Sequence, residues 1–125
     1  MFLIAQIALG VIIAAAEPTG TLTLACQGVG TLTNVTTKDA SRKPISMDTI
    51  VNFTDRTVRF GGDWPLPIPI QDVTETTVMF ADRHTDGIVI GIIELGTGDM
   101  EAVTGTLGEL ENYYSLHCTP TQRMF

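Results

Sequence analysis

Three groups of residues in this 125-residue chain have types and spacings that could do chemistry. Asp82, His84 and Asp86 stand at alternate positions. On a strand they would share a face and offer ligands to a divalent metal. Asp86-Gly87, however, reads as the turn itself, with Gly supplying positive φ over Arg83–Gly87. A turn there destroys the alternation, so a solvated hairpin tip is expected and no metal site. Ser115 and His117 likewise share a strand face, as a nucleophile and base would. Side chains two apart on a strand are separated by roughly 7 Å, beyond direct hydrogen-bond reach. No third orienting group is evident, and two exposed polar residues are the expectation. Cys26 and Cys118 are the third group. Two cysteines do not build a four-ligand zinc site alone, and there are only two histidines.

The chain contains no glycine-rich phosphate loop, dinucleotide fingerprint or nucleophile elbow. No catalytic residue and no cofactor follow from it, and a non-enzymatic protein is expected. Seven basic residues against 14 acidic ones give a net charge of −7. That balance argues against a nucleic-acid binder, which must neutralise phosphates. The acidic residues are scattered, as solubility requires. Asn34-Val35-Thr36 and Asn52-Phe53-Thr54 match glycosylation sequons but are read as chance strand residues.

The elements that would position these groups begin after a leader. Residues 1–16, MFLIAQIALGVIIAAA, carry no charged side chain, and every charged residue lies beyond Ala16. This run is short for a bilayer-spanning helix of roughly 20 residues. It ends in three alanines, which suit a small-x-small cleavage site. Residues 1–16 therefore read as a secretory signal peptide and residues 17–125 as a single β domain, periplasmic or secreted. No stable membrane span remains after cleavage, although no Lys or Arg marks the n-region and a retained anchor is the alternative. A lipoprotein is not expected, because Thr23 stands where a lipobox has Leu and the apolar run ends well before Cys26.

The mature segment reads as strands. Its 19 threonines, with many Val and Ile, suit a pleated surface, and Gly and Asp punctuate it at short intervals. No stretch sustains a capped helical period. The first strand is Thr21–Gln27, and Gly28-Val29-Gly30 bends it into a second, Thr31–Thr36. Thr37–Lys43 is a polar connection. Strands then follow over Ile45–Thr54 and Arg56–Phe60. Gly61–Pro69 breaks the pattern: three alternate prolines remove donors from one edge, so it is no central strand. Leu66, Ile68 and Ile70 can still face the core. Thr74–Asp82 is the next strand. Ile88–Leu95 is nearly continuous apolar and reads as a central strand, covered on both faces or tightly packed. Gly96–Asp99 is a hairpin loop, Met100–Leu107 pairs back, and Gly108–Asn112 turns into a last strand, Tyr113–Thr119. The expectation is all-β: about eight antiparallel strands in a meander, closed as a small lipocalin-like barrel or folded as a sandwich.

Alternation places Cys26 on one face with Leu22 and Leu24, and Cys118 on one face with Tyr114 and Leu116. Both point inward, from the first and last strands. In an oxidising compartment they are expected to form a disulfide, which pins the terminal strands side by side.

The start Leu24-Ala25-Cys26-Gln27-Gly28-Val29-Gly30, the stretch from Ile90 to Met100, Thr104 to Leu107, and Tyr114 to Cys118 carry a resemblance. The chain resembles small exported bacterial proteins of unknown function, which have a signal peptide, a Leu-x-Cys-x-Gly-x-Gly start and a second Cys in the closing strand. The resemblance covers the two ends of the mature segment. It implies a small β-barrel-like domain in the periplasm and no catalytic residues.

Trp64 is the only tryptophan and sits among prolines after Gly61-Gly62. With Leu66 and Pro67 it would form a small apolar patch that could anchor a partner, and it could equally cap the core. Two functions stay open. One is an exported, non-enzymatic interaction or envelope-associated domain that binds a protein or polymer. The other is a small lipocalin-like carrier of an apolar ligand. The large core candidates Phe53, Phe60, Phe80 and Tyr114 favour a filled interior and hence the first.

Overall fold

The computed structural model describes residues 19–60, 66–85, 87–106 and 109–121. The leader and Trp64 lie outside the described residues. Eight strands run in chain order: β1 (Thr21–Asn34), β2 (Ala40–Asn52), β3 (Thr57–Phe60), β4 (Ile68–Val73), β5 (Thr77–His84), β6 (Gly87–Glu94), β7 (Asp99–Thr106) and β8 (Leu110–Pro120). Each pairs antiparallel with the next, and β8 pairs antiparallel with β1, so the sheet closes as an up-and-down barrel. Of the two architectures the sequence left open, this is the barrel. Closure removes most free edges, which an open sheet would have to protect.

Alternation decides which side chains fill the barrel. Leu24 and Cys26 of β1, Val51 of β2, Val58 and Phe60 of β3, and Ile68 and Ile70 of β4 are buried. So are Val78 and Phe80, Val89 and Ile93, Met100 and Ala102, and Tyr114, Leu116 and Cys118. The Phe60 ring stands edge-on to Phe80, with centroids 6.0 Å apart, and to Tyr114, at 6.4 Å. Such edge-to-face pairs add attraction beyond area burial, and here they pack the lumen.

Several boundaries differ from the sequence reading. The pair Gly28 and Gly30 does not divide a strand; β1 is continuous from Thr21 to Asn34. A side chain at Gly28 would collide with the Ser115 carbonyl of β8, so the glycine serves close approach at the closing seam. The Thr37–Lys43 connection is shorter than expected, because β2 begins at Ala40. The last strand begins at Leu110, not Tyr113, because Leu110–Asn112 pair with β1 and β7. β5 continues through His84, which pairs with Gly87, so the turn expected over Arg83–Gly87 is tighter.

The proline segment is also partly corrected. Ile68 and Pro69 do join the sheet, as the start of β4, but their register partners are in β3 alone, at Val58 and Thr57, and pairing with β5 begins at Ile70. Ile68 and Ile70 face the core as expected, but Leu66 is 47% exposed. β6 is not covered on both faces. Val89, Gly91 and Ile93 point inward, whereas Ile90 on the outer face is 51% exposed.

The two sequon asparagines build turns. Asn34 Oδ1 accepts from the amides of Thr36 and Thr37, both at 3.0 Å. Asn52 Oδ1 accepts from the Asp55 amide at 2.8 Å. Asn is favoured in such turns because its side chain satisfies nearby amides.

Candidate functional site

The disulfide comes first, because it fixes the wall on which a cleft is built. Cys26 and Cys118 lie directly opposite in the β1–β8 register, with Cα atoms 4.0 Å apart, and their sulfurs are bonded at 2.04 Å. The buried Thr49 hydroxyl lies 3.5 Å from Cys26 Sγ and donates to it. The bond joins positions 92 residues apart, and in the chain-entropy account such a loop is worth about 4–5 kcal/mol.

Next to this bond the β1–β2 hairpin outruns the rest of the barrel. β3 pairs only with Thr49–Asn52, so among the described residues the Ser41–Asp48 half of β2 has a strand neighbour on one side only. A cleft of about 640 Å³ opens at this mouth. The register places Lys43 and Tyr114 on either side of Gly30, and Ser41 and Asn112 on either side of Leu32. Ile45 and Met47 continue the wall toward the core. Lys43 is the one charged residue of that lining among the described residues.

The second candidate surface is on the outside of the barrel. Ile90 lies between Ala81 of β5 and Val103 of β7, and Ile92 lies between Met79 and Glu101. Val103 in turn pairs with Tyr113. Met79, Ile90 and Tyr113 are exposed, and Ile88, Ile92 and Val103 are half-buried. They form a contiguous apolar stripe across β5–β8. Beside it a shallow groove of about 430 Å³ is lined by Pro69, Gln71, Ala81, Arg83, Ile88 and Ile90. The outer face of β1 and β2, by contrast, carries Thr21, Gln27, Ser46 and Asp48 around the exposed Ile50. The sequence does not show the stripe because a continuous apolar run such as Ile88–Leu95 reads equally as a strand covered on both faces or tightly packed; the outward-facing isoleucines are the available signal.

The polar candidates resolve into pairs. Asp82 Oδ2 lies 2.9 Å from His84 Nε2, and Asp86 lies outside the described residues. Among the described residues no three metal-ligating side chains converge. Ser115 and His117 share the outer face of β8, and a third group is present after all: Asp99 Oδ1 lies 3.3 Å from His117 Nδ1. It comes from β7 in direct register with His117, a pairing the sequence alone did not show. No hydrogen bond joins Ser115 to His117 among the described residues, and both His117 and Asp99 are more than half exposed. Next to them the Tyr113 hydroxyl donates to Glu101 Oε1 at 3.1 Å. That hydrogen bond holds the Tyr113 pKa above its ordinary value, with desolvation and the Glu101 charge adding to it.

Of the apolar patch expected at Trp64, Leu66 and Pro67, the last two are exposed just ahead of β4. No protein family, curated protein or solved structure matches this chain.

Proposed function

We propose that the chain is an exported, non-catalytic binding domain that docks a partner protein on the outer wall formed by β5–β8. The observation that carries this reading is the apolar stripe through Met79, Ile90 and Tyr113, on an otherwise acidic protein. Contiguous apolar surface rimmed by polar groups is what recognition sites use, since its burial supplies the driving force for association. Arg83 and Glu101 flank the stripe and would fix orientation more than add affinity.

The disulfide and the leader support a location outside the cytoplasm, periplasmic or secreted. The resemblance to small exported bacterial proteins fits the same location. The packed Phe60–Phe80–Tyr114 interior favours this reading over a carrier holding a ligand in the lumen.

A photo-crosslinking side chain introduced at Ile90, in cells that export the protein, tests the docking surface. The control is the same side chain at Asp48 on the opposite wall. The expected result is one discrete adduct from position 90 that is lost on adding Met79→Asp. No adduct from position 90, or equal adducts from both positions, would end the reading. An adduct of twice the chain's own mass would identify the partner as a second copy.

A further inference from the structure

We propose that the mouth cleft between β1, β2 and β8 binds a single-chain anionic amphiphile, an alkyl carboxylate whose head group meets Lys43. This rests on different residues from the docking surface on β5–β8 and stands or falls separately.

Three observations converge on that ligand. The first is charge. The chain carries 14 acidic and seven basic residues, yet among the described residues the cleft is lined by Lys43 and no carboxylate. Against a net charge of −7, an ammonium on a concave surface selects for a negative charge. The second is the division of the lining. Leu32, Ile45 and Met47 face the cleft and remain partly open to it, while Ser41 and Asn112 form a polar row beside Leu32. An apolar wall with few polar groups is the common composition of a small-ligand site, and about 640 Å³ lies within the usual size range.

The third is backbone shape. Gly30 separates Lys43 from Tyr114 in the register and contributes no side chain. A methyl group there would stand 2.8 Å from Ile45 Cγ1 and 3.4 Å from the Tyr114 ring. The space over Gly30 is thus taken by Ile45 and the Tyr114 ring, which sit down onto the backbone and form the floor of the cleft. A concave site of this volume has room for one acyl chain and does not match the plane of a bilayer.

Isothermal titration of the disulfide-bonded protein with decanoate, below the concentration at which it aggregates, tests the proposal. Decanol, acetate and anionic phosphatidylglycerol vesicles are the comparison probes. One decanoate should bind per chain. Decanol should bind more weakly, acetate should not bind, and the protein should not sediment with vesicles. Lys43→Ala should weaken decanoate binding roughly tenfold, the worth of a charged hydrogen bond, and leave decanol binding unchanged. Arg42→Ala, on the opposite face of β2, should leave both unchanged. The proposal is overturned by absence of decanoate binding, by equal losses in the Lys43 and Arg42 variants, or by sedimentation with vesicles. Far-ultraviolet dichroism of each variant confirms the fold, and Lys43 is exposed at a strand edge where such a change is tolerated.

Discussion

The β1–β8 seam and the β3–β4 seam belong to one closed sheet but are held in opposite ways. β1 and β8 pair from Leu24–Pro120 through Asn34–Leu110, are stapled by Cys26–Cys118, and leave no room for a side chain at Gly28. β3 and β4 pair only at Thr57–Pro69 and Val58–Ile68, with one further amide bond from Ile70 to the Arg56 carbonyl. The seam joining the chain ends, which loop entropy makes costly to form, is the strong one. The seam between neighbours in sequence is weak. A closed sheet opens at its least paired seam, so β3–β4 is where this barrel should breathe.

The largest test of that contrast removes the staple. Replacing both cysteines by serine should lower stability by about 4 kcal/mol, measured by denaturant unfolding under identical buffer conditions. A loss below about 1 kcal/mol would mean the strand pairing alone carries the seam. Gly91→Ala is the next largest. The added methyl would collide with the Phe80 ring, and overpacking of this kind costs about 1–3 kcal/mol. Phe80→Leu should recover part of that loss when combined with it, because the two sites share one space. Additive losses would place the damage elsewhere.

Hydrogen exchange reads the contrast directly. The Ile70 amide should open through local fluctuation, with protection about 2 kcal/mol below that of the most protected β1 and β8 amides. Equal protection at both seams would refute the idea of a weak side. The smallest expected effect concerns Tyr113. Its raised pKa favours the protonated phenol in the folded protein, so its contribution to stability is present below about pH 10 and is lost as pH rises through the folded value. Glu101→Gln should bring the Tyr113 titration down, as followed by carbon NMR of labelled tyrosine, without altering the Phe60–Tyr114 packing.

Much of this architecture was legible as alternation. Leu24, Cys26, Tyr114, Leu116 and Cys118 point inward as the period-two pattern requires, and the disulfide follows from their positions at the two ends of the meander. Registers were less legible. Pairing of Leu110–Asn112 with β1 cannot be read from a segment that looks like a turn on its own. Asp99 meets His117 only because β7 and β8 pair there. The outward isoleucines of β6 were misjudged, since composition cannot separate a strand covered on both faces from one whose outer face awaits a partner. The cleft at Lys43 was not legible at all, because it arises where β2 runs on beyond its pairing with β3 among the described residues.

The position of the disulfide also has a mechanical consequence. Cys26 and Cys118 turn everything between them into a covalent ring, and the described chain outside it is Thr19–Ala25 and Thr119–Thr121. Tension applied to the two ends of the polypeptide passes from β1 to β8 through the sulfur atoms and bypasses the rest of the barrel. The ring hides roughly 300 Å of contour length, taking about 3.4 Å for each of the 92 intervening steps. Pulling on the oxidised chain can release only its short tails, and the hidden length becomes available once the sulfurs are reduced.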